Sequence, residues 1–254
     1  MNSGAEPKHA AKLSEPMTAR PLLVLAGGYG TRLQSAISGI PKPLAPVGKK
    51  TFLQLLIERW AEQGAREFIF LLHHKADAIE TFLSSWKRTG WIRDCDFRML
   101  TEVEPLGTGG AVAHAVRHLD LSESFLVANA DTWLGSGIME VSRAAPSAMA
   151  VVRVGNADRY GSIRIEQGKV IVFNEKAQGS GSHWINAGLY HLSPELFLQW
   201  NGSPLSIERE VFPRLVNDGR LHAVPIEADF IDIGVPGDYF RFCRWIESGK
   251  NGVL

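Results

Sequence analysis

The sequence predicts an α/β protein built on a doubly wound sheet with helices on both faces. An apolar run, Leu22 to Ala26, reads as a short buried strand and stops abruptly in the glycines Gly27, Gly28 and Gly30. Strand and helix patterns then alternate as far as about residue 147, the rhythm of a largely parallel sheet. From about residue 148 the rhythm changes to hairpin-like elements, which implies a mixed sheet or a second lobe packed on the first half.

Residues 1–20 are polar and irregular and are expected to form a disordered extension; 21–254 is expected to be one domain, with halves at about 21–147 and 148–254. After the first strand, Thr51 to Gln63 is helical by the spacing of Phe52, Leu55, Leu56 and Trp60, and Gly64 closes it. Phe68 to Leu72 reads as a buried strand, Ala76 to Arg88 as a helix and Phe97 to Leu100 as a strand. Thr108 to Leu119 is expected to be helical, and Phe125 to Ala128 is a fully apolar strand. In the second half Tyr160 to Glu166 alternates, Gln167-Gly168-Lys169 turns, and Val170 to Phe173 returns as a strand. Trp184 to Leu192 is a further strand, with helices over Ser193 to Gln199, Ser206 to Asn217 and Pro236 to Glu247.

Composition narrows the function. A chain of 254 residues can bury a substantial core, and 27 basic residues balance 27 acidic ones, so no global charge favours nucleic acid or an anionic membrane. Cys95 and Cys243 lie far apart without metal-like spacing and read as reduced and structural. No apolar stretch is long enough to span a bilayer, and the first twenty residues lack a signal-peptide core, so a soluble cytoplasmic protein is expected.

The strand and glycine loop are followed by Arg32, a fixed fork of donors, and by Lys42 between Pro41 and Pro43. Glycine lets backbone approach a ligand and turn N–H groups outward, so these parts describe a cradle for a triphosphate. The loop runs Gly-Thr-Arg-Leu where a P-loop needs Gly-Lys-Ser/Thr. Leu33 stands where a dinucleotide fingerprint needs its third glycine, and Lys49, Lys50 and Thr51 where it needs an acid. Alone, the loop could be a tight turn using glycine only for geometry. Asp131 follows the strand Phe125 to Ala128, where doubly wound sheets hold ligands, and Asp232 lies in the apolar run Phe230 to Gly234. Either could cap a helix or turn. Two such carboxylates are also what Mg²⁺ requires, with phosphates and waters completing its shell. The pair His73-His74 has no partnered carboxylate motif and reads as structural.

Gly27-Gly28-Tyr29-Gly30-Thr31-Arg32-Leu33 with Pro41-Lys42-Pro43 resembles the motif pair of the sugar-1-phosphate nucleotidyltransferases, and the similarity runs from about Leu22 to about Glu247. The resemblance implies a GT-A-like, Rossmann-like α/β fold and two substrates, a nucleoside triphosphate and a sugar 1-phosphate. It places the nucleotide on Leu25, Ala26, Gly27, Gly28, Gly30, Thr31 and Arg32, with Glu104, Pro105, Gly107 and Thr108 against the base. Asp131 and Asp232 would hold Mg²⁺, although Ala130 departs from the glycine more usual before the first of them. Gly161, Glu175, Lys176, Asn186 and Gly188 would line the sugar-phosphate side. The implied catalytic set is Arg32 on the leaving pyrophosphate, Lys42 near the α-phosphate, Asp131 through the metal, and Lys176 on the sugar phosphate. The residues Pro105 to Ala111, Arg159-Tyr160-Gly161 and Phe230 to Pro236 together are most similar to the D-glycero-α-D-manno-heptose 1-phosphate guanylyltransferases, which make GDP-heptose for bacterial surface polysaccharides. Hexose-1-phosphate thymidylyl- or uridylyltransferases are the alternative, as is a silent nucleotide-binding regulator on the same fold; a homodimer is left open. No fused hexapeptide β-helix is expected.

Overall fold

The structure is a computed structural model that describes residues 20–86, 94–155, 162–174, 183–250 and 254. Strand β1 (Leu22–Leu25) leads into the glycine loop, and a short hairpin of β2 (Pro46–Val47) and β3 (Lys50–Thr51) precedes helix α1 (Phe52–Glu62). The first half continues through β4 (Glu67–Leu72), α2 (Ala76–Trp86), β5 (Asp96–Thr101), α3 (Gly107–His118) and β6 (Phe125–Asn129). Then follow β7 (Thr132–Leu134), α4 (Ile138–Arg143), β8 (Ala148–Val154), the hairpin β9 (Ser162–Glu166) and β10 (Lys169–Asn174), and β11 (His183–Leu192). The chain closes with α5 (Phe212–Asn217), β12 (His222–Pro225), β13 (Phe230–Asp232) and α6 (Pro236–Glu247).

Among the described residues nine strands form one sheet in the order β5-β4-β1-β6-β11-β8-β12-β10-β9. The first four are parallel, and β11 runs antiparallel to both β6 and β8. The β9–β10 hairpin joins the same sheet through β12 and β11, so the change of rhythm produces a mixed sheet. β7 and β13 form a separate antiparallel ribbon.

Strand alternation divides the core. Leu22 and Val24 face a layer containing Phe52 of α1, Ile79 of α2 and Phe242 of α6, whereas Leu23 faces Val112 of α3 and Phe212 of α5. Helices therefore cover both faces of the sheet. Each fully buried side chain of this size contributes about 1.5–3 kcal/mol of transfer free energy. Helix α1 begins where the Thr51 hydroxyl accepts the Gln54 N–H at 3.1 Å, a side-chain cap for an otherwise unpaired donor.

Three expectations change in detail. Ser193 to Gln199 forms only a 3-10 turn over Pro194–Phe197. Ser206 to Asn217 divides into a π-helical turn, Ile207–Val211, and α5, because Pro213 has no N–H with which to continue an α-helical ladder across the junction. Helix α4 and strands β2, β3, β7, β8, β12 and β13 were not anticipated; most are too short to show a period. Of the expected N-terminal extension only Arg20 lies within the described residues, where its Nε donates to Ser124 Oγ at 3.0 Å. Arg88, at the end of the expected second helix, lies outside them.

Candidate active site

A cavity of about 480 Å³ opens at the carboxyl ends of the parallel strands, where β1 gives way to the glycine loop and β6 to Asp131. Leu25, Ala26, Gly27, Gly28, Gly30 and Thr31 line it. Gly30 has φ +59°, and a Cβ there would lie 3.0 Å from Lys42 Cβ, so glycine allows the loop to settle on the lysine. The loop ends in a 3-10 turn, Thr31–Leu33, that buries Leu33 and leaves Arg32 exposed in the cavity wall.

Lys42 begins a second short turn directly after Pro41 and is 8% exposed. Its Nζ donates to Asp131 Oδ2 at 2.6 Å and lies 3.7 Å from Asp232 Oδ1. The two aspartates, far apart in sequence, meet because β13 pairs with β7 in a register that sets Asp232 against Thr132. The Ile233 N–H completes the junction by donating to the Asp131 carbonyl at 3.0 Å. Thr132 Oγ1 donates to Asp131 Oδ1 at 3.1 Å, and the Gly234 N–H donates to Asp232 Oδ1 at 2.6 Å. Burial pushes the Asp131 carboxyl upward, but the Lys42 ammonium and its hydrogen bond outweigh this and hold it below the usual range. At Asp232 burial is the leading cause and the Asp131 charge adds to it, so this carboxyl is raised despite Lys42. One buried ammonium thus serves two carboxylates.

Pro105, Gly107 and Thr108 form the opposite wall, where the chain turns into α3. Glu104 is exposed and outside the lining, whereas Glu102 is 9% exposed and within it. The Glu102 N–H donates to the Leu72 carbonyl at 2.8 Å, extending the β4–β5 ladder beyond the strand end expected from sequence, and its Oε2 accepts the Leu106 N–H at 2.9 Å. Burial foremost raises the Glu102 carboxyl, opposed by the Leu106 N–H and by His73. His73, expected to be merely structural, lines the cavity; its Nδ1 lies 3.2 Å from the Glu102 carbonyl and its Nε2 3.4 Å from the Tyr29 hydroxyl.

The glycines of the 106–110 turn have a structural use that the sequence did not disclose. The Gly109 and Gly110 N–H groups donate to the Leu205 carbonyl at 2.8 and 3.1 Å, and the Leu205 N–H donates to the Leu106 carbonyl at 2.8 Å. A Cβ on Gly107, whose φ is +74°, would lie 2.7 Å from the Leu205 oxygen. The turn is therefore docked on a segment nearly a hundred residues away, with part of its backbone already paired.

Asn186 and Gly188 lie in β11 and outside the lining of the large cavity. The Gly188 N–H donates to Asn186 Oδ1 at 2.9 Å, and Asn186 Nδ2 donates to the Tyr190 hydroxyl at 2.8 Å. Tyr190 is fully buried; burial first, then the charge of Glu208, pushes its pKa up and keeps it protonated. Gly161, Glu175 and Lys176 lie outside the described residues, as do Arg159 and Tyr160.

The chain matches the nucleotidyl transferase family over residues 22–248. It is 33% identical over 229 residues to the D-glycero-alpha-D-manno-heptose 1-phosphate guanylyltransferase of Campylobacter jejuni, covering 87% of this chain and 97% of that protein. It is 32% identical over 235 residues to the mannose-1-phosphate guanyltransferase beta-A of Xenopus laevis, covering 89% of this chain but only 64% of that protein's length. The crystal structure of HddC from Yersinia pseudotuberculosis complexed with GMP-PN matches with a TM-score of 0.77 and 33% identity over 89% of this chain and 99% of the other. With the glycine loop, Lys42 and Asp131 lining one cavity, and Asp232 beside Lys42 just outside that lining, the chain belongs to the nucleotidyl transferase family.

Proposed function

We propose that this chain joins a nucleoside triphosphate, GTP in our reading, to a sugar 1-phosphate, releasing pyrophosphate and forming an NDP-sugar. The observation that carries the reading is Lys42, buried between Asp131 and Asp232 at a cavity walled by the glycine loop and Arg32. The attacking sugar-phosphate oxygen is already anionic, so it needs no general base. The difficulty is bringing two polyanions together, and cationic groups held in place beforehand meet it. Arg32 takes the leaving pyrophosphate, Lys42 the α-phosphate and Lys176 the sugar phosphate, while Glu175, Asn186, Gly188 and Gly161 shape the sugar side.

The carboxylates fit a divalent cation: two are forced side by side on one lysine, and the charge of Asp131 adds to burial in raising the Asp232 carboxyl. Mg²⁺ held by Asp131 and Asp232 would offset triphosphate charge.

The guanine preference is supported by Glu102 and by the guanylyltransferases among the relatives. A carboxylate retains acceptor capacity after taking the Leu106 N–H, and guanine offers adjacent N–H donors. Uracil and thymine would set carbonyl lone pairs against it, leaving buried polar groups unpaired. We read the sugar as D-glycero-α-D-manno-heptose 1-phosphate and the product as a precursor of bacterial surface polysaccharide. Mannose 1-phosphate is the second reading, favoured by the similarity to the Xenopus laevis protein.

Competition kinetics with four nucleoside triphosphates against heptose, mannose and glucose 1-phosphates, scored by pyrophosphate release, test all of this. GTP with a manno-configured sugar is expected to give the highest kcat/KM. Higher values with UTP or dTTP on every sugar would overturn the guanylyl assignment, and no release with any pair would overturn the reaction.

A further inference from the structure

The Thr108 hydroxyl is more constrained than a residue in a cavity wall needs to be. Its Oγ1 donates to Glu208 Oε2 at 2.7 Å and accepts the Ile207 N–H at 2.9 Å. Ser206 Oγ also donates to Glu208 Oε2, at 3.0 Å, so this carboxylate oxygen gathers two hydroxyl protons. Glu208 sits in the π-helical turn Ile207–Val211, one residue beyond the Leu205–Ile207 stretch on which the turn into α3 is docked. A π-helical turn is an uncommon arrangement that recurs at functional sites, and here it carries the one acidic group bonded to the Thr108 hydroxyl.

A hydroxyl has one proton and two lone pairs. With its proton committed to Glu208 and one lone pair to Ile207, the Thr108 oxygen can offer the cavity only its remaining lone pair. We propose that Glu208 is a positioning residue that fixes the polarity of Thr108, making it an acceptor that selects nucleosides carrying a hydrogen-bond donor at that point. The inference rests on the nucleotide-binding part of the reading above and deepens it. The matching donor is the 2-amino group of the base or a hydroxyl of the ribose. A neutral amide at position 208 could instead give a proton to Thr108, freeing the hydroxyl to turn its own proton toward the ligand and removing the preference.

The test is equilibrium binding of GTP, ITP, 2′-deoxy-GTP and 3′-deoxy-GTP to the full chain with Mg²⁺, for wild type, Glu208→Gln, Glu208→Asp and Thr108→Val. ITP lacks the 2-amino group and the deoxy nucleotides each lack one hydroxyl, so the analogues separate the two sources of the donor. Wild type is expected to bind one of the three at least tenfold more weakly than GTP. Glu208→Gln and Thr108→Val should shrink that ratio at least threefold from its wild-type value, and Glu208→Asp should restore it. A general loss of structure would weaken all four nucleotides together and leave their ratio alone, so the ratio reports polarity. Wild-type ratios retained in Glu208→Gln and Thr108→Val, or a wild type that does not discriminate, overturn the inference. Pyrophosphate release measured on the same proteins after adding heptose or mannose 1-phosphate reads the reaction separately: discrimination without release refutes the reaction and leaves the role of Glu208 standing.

Discussion

Replacing Gly107 by alanine separates two reasons for a glycine at the turn into α3. The first is conformational: φ is +74°, a left-handed backbone that costs an L side chain about 1–2 kcal/mol. The second is steric, because the new Cβ would stand 2.7 Å from the Leu205 oxygen and 3.3 Å from its carbonyl carbon. Leu205 cannot easily withdraw, since its N–H is bonded to Leu106 and its oxygen to Gly109 and Gly110. Overpacking of this kind costs about 1–3 kcal/mol, so Gly107→Ala should destabilise by roughly 2–5 kcal/mol in total. Gly202 is the internal control: its φ is +96° and a Cβ there would meet nothing within 4 Å, so Gly202→Ala carries only the conformational cost. Both variants lose the same unfolded-state freedom, which cancels in the comparison. Urea unfolding, with unchanged m-values checked first, should place Gly107→Ala about 1–3 kcal/mol below Gly202→Ala. Equal stabilities within about 0.5 kcal/mol would refute the claim that docking on Leu205 dictates this glycine.

Other outcomes follow from the same geometry. Gly28→Ala meets nothing within 4 Å and should leave the urea midpoint unchanged while raising the KM for nucleotide at least about fivefold, if bound phosphate approaches the loop backbone. Unchanged KM would place the phosphates elsewhere. Asp232→Asn should lower turnover at least about a hundredfold, a loss of a few kcal/mol of charge stabilisation, and chelator should do the same to wild type; full activity of the variant in excess chelator would refute the metal assignment. The Glu102 carboxyl is raised above the ordinary glutamate range, chiefly by burial, so it gains a proton earlier than an ordinary glutamate as pH falls. The ionised form accepts more strongly and sets no O–H of its own against the guanine N–H edge, so GTP affinity should fall on acidification through that raised pKa. Glu102→Gln should remove the titration and weaken binding at neutral pH; an unchanged titration would assign it to another group.

How much of this was legible depended on whether the information was local. Strand β1, the glycine loop and Lys42 lie within about twenty residues, and apolar runs, glycines and prolines announce them directly. Helix α6 appears over Pro236–Glu247 as its pattern implied, because a proline at its start and a long amphipathic face leave little freedom. Asp131 could be nominated from its position after a strand, and Asp232 from its place in an apolar run ending in glycine. Their meeting depends on the β7–β13 ribbon, two three-residue strands with no periodicity to read. Glu102 was missed in favour of Glu104 because the choice turns on where β5 stops pairing with β4, and strand ends are the least legible feature of a sequence.

The glycine-rich turn shows why such misses fall at the site itself. Read alone, glycines in Pro105 to Ala111 suggest space for a ligand, and the space is in fact taken by Leu205 at Gly107 and Gly109 and by Leu106 at Gly110. The wall that faces the cavity is therefore shaped from behind, by a segment of the other half of the chain, and the Thr108 hydroxyl donates to and accepts from that same segment. If Asn186 serves the sugar as proposed, the two substrate sides share this seam: Phe212, at the start of α5 just beyond Glu208, packs its ring 5.0 Å from that of Tyr190, whose hydroxyl accepts from Asn186. A change in the 205–212 segment thus reaches both walls at once, and its effects on the two substrates should be coupled rather than additive.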